Sequence, residues 1–397
     1  MDDKLIEIIK RGSKKNLLKF IQDNEAKISH NLVLYETAIK KNNFLAIKLL
    51  YESYTRRRED TGLLSKIAFL FIKDNKYDYL KYIFDNYVFD NFFILKLLSF
   101  YKGKQTISDT DLNTIITIEN LKINLNMENE EGSLPLLIAC NNGEEKMVKY
   151  LIEKGANPNQ GNRNGDTPII SACFIDNEIL VKYLVNYGVT LNKPNESFYN
   201  PLIAACENGN EMIIRYLVEH GEGVNKEEIK YGNTPLIIAC ENSCESIVRY
   251  LVEQGADVNK SNYDGDTPLI SSCYMEDESI VNYLIEHGAD VNKSDIYGDT
   301  PLIFACEFGN LDIIKYLVAH GADINQSNED GDTPLITACK CSDMNIVKYI
   351  INNGADINKC NKDGLLPLKA AQLSLNNEVV NYLINFDTKN EYKKRKI

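Results

Sequence analysis

Apolar residues in the second half of the chain fall into two alternating patterns. Ile280, Val281, Leu284 and Ile285 follow an i, i+1, i+4, i+5 spacing, which puts them on one face of an amphipathic helix. Ahead of them, Leu269, Ile270, Ser272 and Cys273 predict a shorter apolar helix whose small members let a neighbouring helix approach closely. A polar stretch follows each long pattern, and then the order begins again. Pro135, Pro168, Pro201, Pro235, Pro268, Pro301, Pro334 and Pro367 mark the returns, 33 residues apart with a single interval of 34.

The residues around each proline set the ends of these elements. Thr267 is suited to accept a backbone N–H as helix N-cap, and Pro268 suits the first helical position, where its φ is preset and no donor is lost. Gly288, with Gly155, Gly188, Gly221, Gly255, Gly321 and Gly354, stands where a helix commonly ends on a left-handed residue. Asn292 and its equivalents Asn159, Asn192, Asn225, Asn259, Asn325 and Asn358 precede Asp-Gly or Asn-Gly turns, whose chemistry suits a tight hairpin-like finger. One unit therefore reads as finger, helix, helix, with the two helices antiparallel. Ordering 33 residues costs on the order of 50 kcal/mol of conformational entropy, more than the few side chains of one unit offset, so units must stack.

This pattern resembles the ankyrin repeat, with its Thr-Pro-Leu-His-x-Ala signature and 33-residue period, over residues 128–387. The resemblance implies an all-α ankyrin-repeat solenoid of stacked helix-turn-helix units with fingers, working as a protein-binding module. It does not extend to the family's histidine, whose position holds Leu137, Ile170, Ile203, Ile237, Ile270, Ile303, Ile336 or Lys369. Residues 1–127 read as divergent, degenerate copies of the same unit, because Lys19-Phe20-Ile21, Lys48-Leu49-Leu50 and Lys81-Tyr82-Ile83 echo Lys315-Tyr316-Leu317. About four such helix pairs would cap eight regular ones. Residues 388–397 are expected to form a basic, disordered tail.

Charge narrows the partners. The net charge of −13 divides into +5 over residues 1–127, −22 over 128–387 and +4 over the last ten residues. So acidic an array repels a phosphate backbone, so nucleic acid is not an expected partner. No stretch approaches the roughly 20 apolar residues of a membrane span. The acidic start and lack of an apolar leader point to the cytoplasm, with nuclear import through Lys393-Lys394-Arg395-Lys396 as the alternative.

Three residue types recur in a way that the period itself explains. Cys140, Cys173, Cys206, Cys240, Cys273, Cys306 and Cys339 share one position, and equivalent positions roughly 8–10 Å apart lie beyond disulfide reach, so they read as small core filler. His220, His287 and His320 directly precede the helix-ending glycine and suit the negative end of the helix dipole. Tyr150, Tyr183, Tyr216, Tyr250, Tyr283, Tyr316, Tyr349 and Tyr382 predict a packing ladder on the second helices. No phosphate loop, nucleophile elbow or zinc spacing appears, so no enzyme activity, metal or cofactor is expected.

Recognition is expected at positions that break the repeat, on the fingers and the exposed edge of the first helices. Those positions hold Phe174, Ile175, Phe198, Tyr199, Tyr231, Tyr274, Met275, Tyr297 and Phe308, of types enriched at protein interfaces. Beside them run an acidic row, Asp166, Asp266, Asp299 and Asp332, and the first-helix glutamates Glu207, Glu241 and Glu307. The expectation is a monomeric scaffold whose concave face grips a protein of basic or mixed surface. Two alternatives are an adaptor whose residues 1–127 contact a degradation or modification machine, and a substrate of an asparagine hydroxylase modified at Asn259.

Overall fold

A computed structural model describes residues 132–191, 200–341 and 343–394, with a few isolated positions before residue 132 and side chains through Phe386. Among the described residues there are sixteen helices and no strand. They alternate short and long within each repeat: α1 (Pro135–Asn141) and α2 (Glu145–Glu153), α3 (Pro168–Phe174) and α4 (Glu178–Tyr187), α5 (Pro201–Asn208) and α6 (Glu211–Glu219), α7 (Pro235–Glu241) and α8 (Glu245–Glu253). The series continues with α9 (Pro268–Tyr274) and α10 (Glu278–Glu286), α11 (Pro301–Phe308) and α12 (Leu311–Ala319), α13 (Pro334–Cys341) and α14 (Met344–Asn352), α15 (Pro367–Leu373) and α16 (Asn377–Lys394). The chain divides into two compact units, 1–171 and 172–397. Most of the reading of residues 1–127 lies outside the described residues.

Helix starts follow the expected capping chemistry. Thr234, Thr267 and Thr300 accept from the amides of Ile237, Ile270 and Ile303 at 3.2, 3.2 and 3.3 Å. Asn200 does the same for Ile203 at 2.8 Å. The second helices carry their own caps, Asn177, Asn210, Asp277, Asn310 and Asp343, nine residues past each proline. Each supplies an acceptor for an amide that would otherwise lack one at a helix N-terminus.

The second helices end on a left-handed glycine. At Gly288 φ is +89°, and the next amide, Ala289, donates back to Leu284 at 3.0 Å, closing a Schellman-type turn. A Cβ added there would meet nothing within 4 Å, so handedness alone selects glycine. The equivalent position in the last repeat is Asp387, which supplies no such stop. Accordingly α16 runs on to Lys394.

In unit 172–397, each first helix packs on its own second helix and on the first helix of the following repeat. Leu236, Ile237, Leu269, Ile270, Leu302 and Ile303 are buried at those contacts. Leu137, Ile170, Ile203, Ile237, Ile270, Ile303 and Ile336 occupy the family's histidine position as plain core, whereas Lys369 in the last repeat is exposed. All ten cysteines are free thiols, and the seven in register are buried. Burial pushes the Cys140 and Cys240 thiols up to about 12, so they remain protonated and inert near neutrality.

Candidate functional site

The fingers are organised by a polar residue six positions before the proline. Asn262 accepts from the amides of Asp264 and Asp266 at 3.1 and 2.8 Å, and Asn328 and Asn361 repeat the arrangement. In the repeat with one extra residue, a glutamate takes this role. Glu228, itself buried, accepts from the amides of Lys230 and Tyr231 at 2.8 and 2.5 Å. The sequence irregularity between Glu222 and Tyr231 thus falls within the finger itself.

Successive fingers are joined by single backbone hydrogen bonds. The amide of Tyr263 donates to Tyr231, Ile296 to Asp264, Glu329 to Tyr297 and Lys362 to Asp330, at 2.8 to 3.0 Å. This close approach requires glycine: at Gly298, with φ +79°, a Cβ would stand 2.8 Å from the amide nitrogen of Glu329. Behind the fingers runs an asparagine ladder. Asn259 donates to the carbonyl of Gly288 at 2.9 Å and accepts from the amide of Asp290 at 2.7 Å, joining one repeat to the next. Asn225, Asn292 and Asn325 do the same. The candidate modification residue Asn259 is therefore one rung of a framework ladder.

The aspartate row is also engaged within the fold. Asp166 and Asp266 accept from Asn162 and Asn262 of their own fingers, while Asp299 and Asp332 accept from Asn328 and Asn361 of the next ones. Asp332 is buried and also pairs with Lys340 at the end of α13. Burial raises the carboxyls of Asp266 and Asp299 above the usual range, and the asparagine amides oppose that rise. Glu207, Glu241 and Glu307 lie exposed at the C-terminal ends of α5, α7 and α11. The Glu241 carboxyl is raised by burial of its oxygens first, and then by Asp266, Glu207 and Glu228. First-helix ends and fingers thus share one acidic face.

Every described aromatic or aliphatic candidate is exposed: Phe174, Ile175, Tyr231, Tyr274, Met275, Tyr297 and Phe308. The structure brings two of them together, because the rings of Tyr274 and Phe308 meet edge to face with centroids 4.9 Å apart. Tyr274 nevertheless remains 57% exposed. Phe198 and Tyr199 lie outside the described residues. Three further exposed residues on the fingers, Ile229, Tyr263 and Ile296, flank Tyr231 and Tyr297. Their signal was available in the sequence as apolar residues in otherwise polar turns.

The tyrosine ladder is a framework, and it has a cationic partner. Arg215 stacks on the Tyr250 ring at 4.2 Å and Arg249 on Tyr283 at 4.3 Å, each one repeat ahead. Arg215 and Arg249 are in turn held by Glu211 and Glu245 one helical turn earlier. The recurrent Lys-Tyr or Arg-Tyr pair is its sequence signature. His220, His287 and His320 place Nδ1 within 2.7 to 2.8 Å of the carbonyl four residues earlier, so that nitrogen carries the proton and caps the helix end. The same imidazoles stack on Tyr216, Tyr283 and Tyr316.

Stacked finger and helix-pair units with an exposed face of unlike residues define a helical repeat protein of the binding-module class. The chain belongs to the ankyrin-repeat family: the family model described as ankyrin repeats in three copies matches residues 108–195, 180–262, 259–328 and 321–394. The first match begins within the segment read as divergent. Comparison with curated proteins returns no match. Ankyrin repeats are protein–protein interaction modules. Among the described residues, no helix is long and apolar enough to cross a membrane.

Proposed function

We propose that the finger and first-helix face of residues 200–310 docks a protein segment carrying lysine or arginine beside apolar side chains. The observation that carries this reading is the exposed Tyr274–Phe308 pair, Tyr274 holding the first-helix position of Glu207, Glu241 and Glu307 and Phe308 following Glu307. Aromatic side chains offer rigid contact area, and the glutamates supply a field that attracts and orients a basic segment. Burial raises the Glu241 carboxyl first and the like charges of Asp266, Glu207 and Glu228 raise it further, and a cation from a partner would offset that second part. The chain acts as a non-enzymatic scaffold in this reading.

The aspartate row is a poor place to test it, since reversing Asp299 or Asp332 would also break bonds between fingers. A cleaner variant converts Glu207, Glu241 and Glu307 to lysine, and a second converts Tyr274 and Phe308 to alanine. Selection from a displayed random-peptide library should enrich lysine- and arginine-bearing peptides on the native chain. Binding of those peptides should weaken by roughly 30-fold on the aromatic variant, the ~2 kcal/mol of an interface hot spot. The glutamate variant should lose binding and its salt dependence together. Peptides enriched without regard to charge, bound equally by all three proteins, would refute the reading.

A further inference from the structure

Glu222 breaks the repeat inside the core. It follows the helix-ending glycine at the position where other repeats carry Ala156, Val189, Ala256, Ala289, Ala322 and Ala355. Its backbone behaves as theirs does: the amide donates to Leu217 at 3.1 Å, as Ala289 donates to Leu284 at 3.0 Å. The side chain is only 3% exposed, and both carboxyl oxygens are buried with no hydrogen-bond partner. The contrast with Glu228 is instructive, because that buried carboxylate receives two backbone amides. Alanine at the sibling positions shows that the fold does not require an acid here. A buried ion without a partner costs several kcal/mol, whereas the neutral acid costs far less.

We infer that Glu222 is a proton-linked switch, neutral when the junction around α6 and α7 is closed and loosening that junction when it ionises.

The surrounding groups support the assignment. Lys226, in the same loop, acts on Glu222 by charge alone and draws its carboxyl downward. The Cys173 thiol on α3 is raised by burial first and then by Glu222, Asp176 and Cys206, so it stays neutral and adds no second negative charge beside Glu222. His220, two residues away, turns its ring onto Tyr216 and its Nδ1 to the Tyr216 carbonyl. Burial dominates and pushes the Glu222 carboxyl up to about 7. Because the folded value exceeds the unfolded one, 4.5, the stabilisation from the bound proton is complete below 4.5. It is lost as pH rises through about 7. The junction is therefore tightest in mild acid and loosens through neutrality.

Amide hydrogen exchange on the full chain tests this with Glu222→Ala, the residue of the sibling repeats, and with Glu222→Gln, which keeps the shape without the ionisation. Rates in peptides covering residues 213–240 are compared between native and variant chains at each pH, which cancels the intrinsic pH dependence of exchange. Passing from pH ~5 to ~7.5, the native-to-variant ratio of opening should rise roughly fifty-fold for either substitution, as linkage requires. Peptides around residues 300–320 should show no such change. A ratio that is the same at both pH values would overturn the inference and leave Glu222 as a plain packing irregularity.

Discussion

Replacing Asn259 by alanine removes both hydrogen bonds that its side chain makes to the next repeat, the 2.9 Å donation to Gly288 and the 2.7 Å acceptance from Asp290. Each is worth about 1 kcal/mol net, so the pair contributes about 2 kcal/mol at most, and somewhat less where water reaches the freed groups. In a repeat array that loss falls on one nearest-neighbour interface. Unfolding of so long an array is not two-state, which makes a single global midpoint a blunt measure. Amide exchange is sharper: residues 284–293 should open about 5- to 30-fold more often, the factor that one to two kcal/mol supplies. Residues 135–153 serve as the internal reference, since they belong to the other compact unit. Exchange within twofold of the native chain at residues 284–293 would show that the ladder is decoration, and would remove the structural reason for asparagine at this position.

Two substitutions of glycine by alanine separate handedness from crowding. Gly288→Ala should cost about 1 kcal/mol for the left-handed backbone alone, while Gly298→Ala should cost more than ~2, because its Cβ also meets the Glu329 amide. Equal losses in urea titrations would count against close finger approach. Thiol labelling offers an independent check on the core. In the native chain Cys360 and Cys341 should react first, the raised Cys341 thiol more slowly, with Cys244 next. The seven register cysteines should react only after denaturation. Rapid labelling of more than three thiols without denaturant would contradict the packing described.

Much of this architecture was legible without coordinates, for a physical reason. A 33-residue unit that cannot bury its own apolar face must display its capping, stop and turn residues at fixed offsets, because every copy solves the same problem. Pro268, Thr267, Gly288 and the buried cysteines were therefore readable one by one. The second-helix caps and the turn organisers at Asn262, Asn328 and Asn361 were present in the same register. They were overlooked because a lone asparagine in a turn carries little meaning until its acceptors are known.

The contacts between repeats were decided only by the tertiary structure. Spacing alone could not show that Asp299 and Asp332 spend their oxygens on the asparagine of the next finger. Nor could it show that Tyr274 reaches Phe308 a repeat away, or that Glu222 has both carboxyl oxygens buried without a hydrogen-bond partner. Periodicity determines what each residue is equivalent to within its own unit, because local backbone chemistry repeats with the sequence. What a side chain touches depends on the neighbouring unit's residues at the same height, and that pairing exists only once the units are stacked.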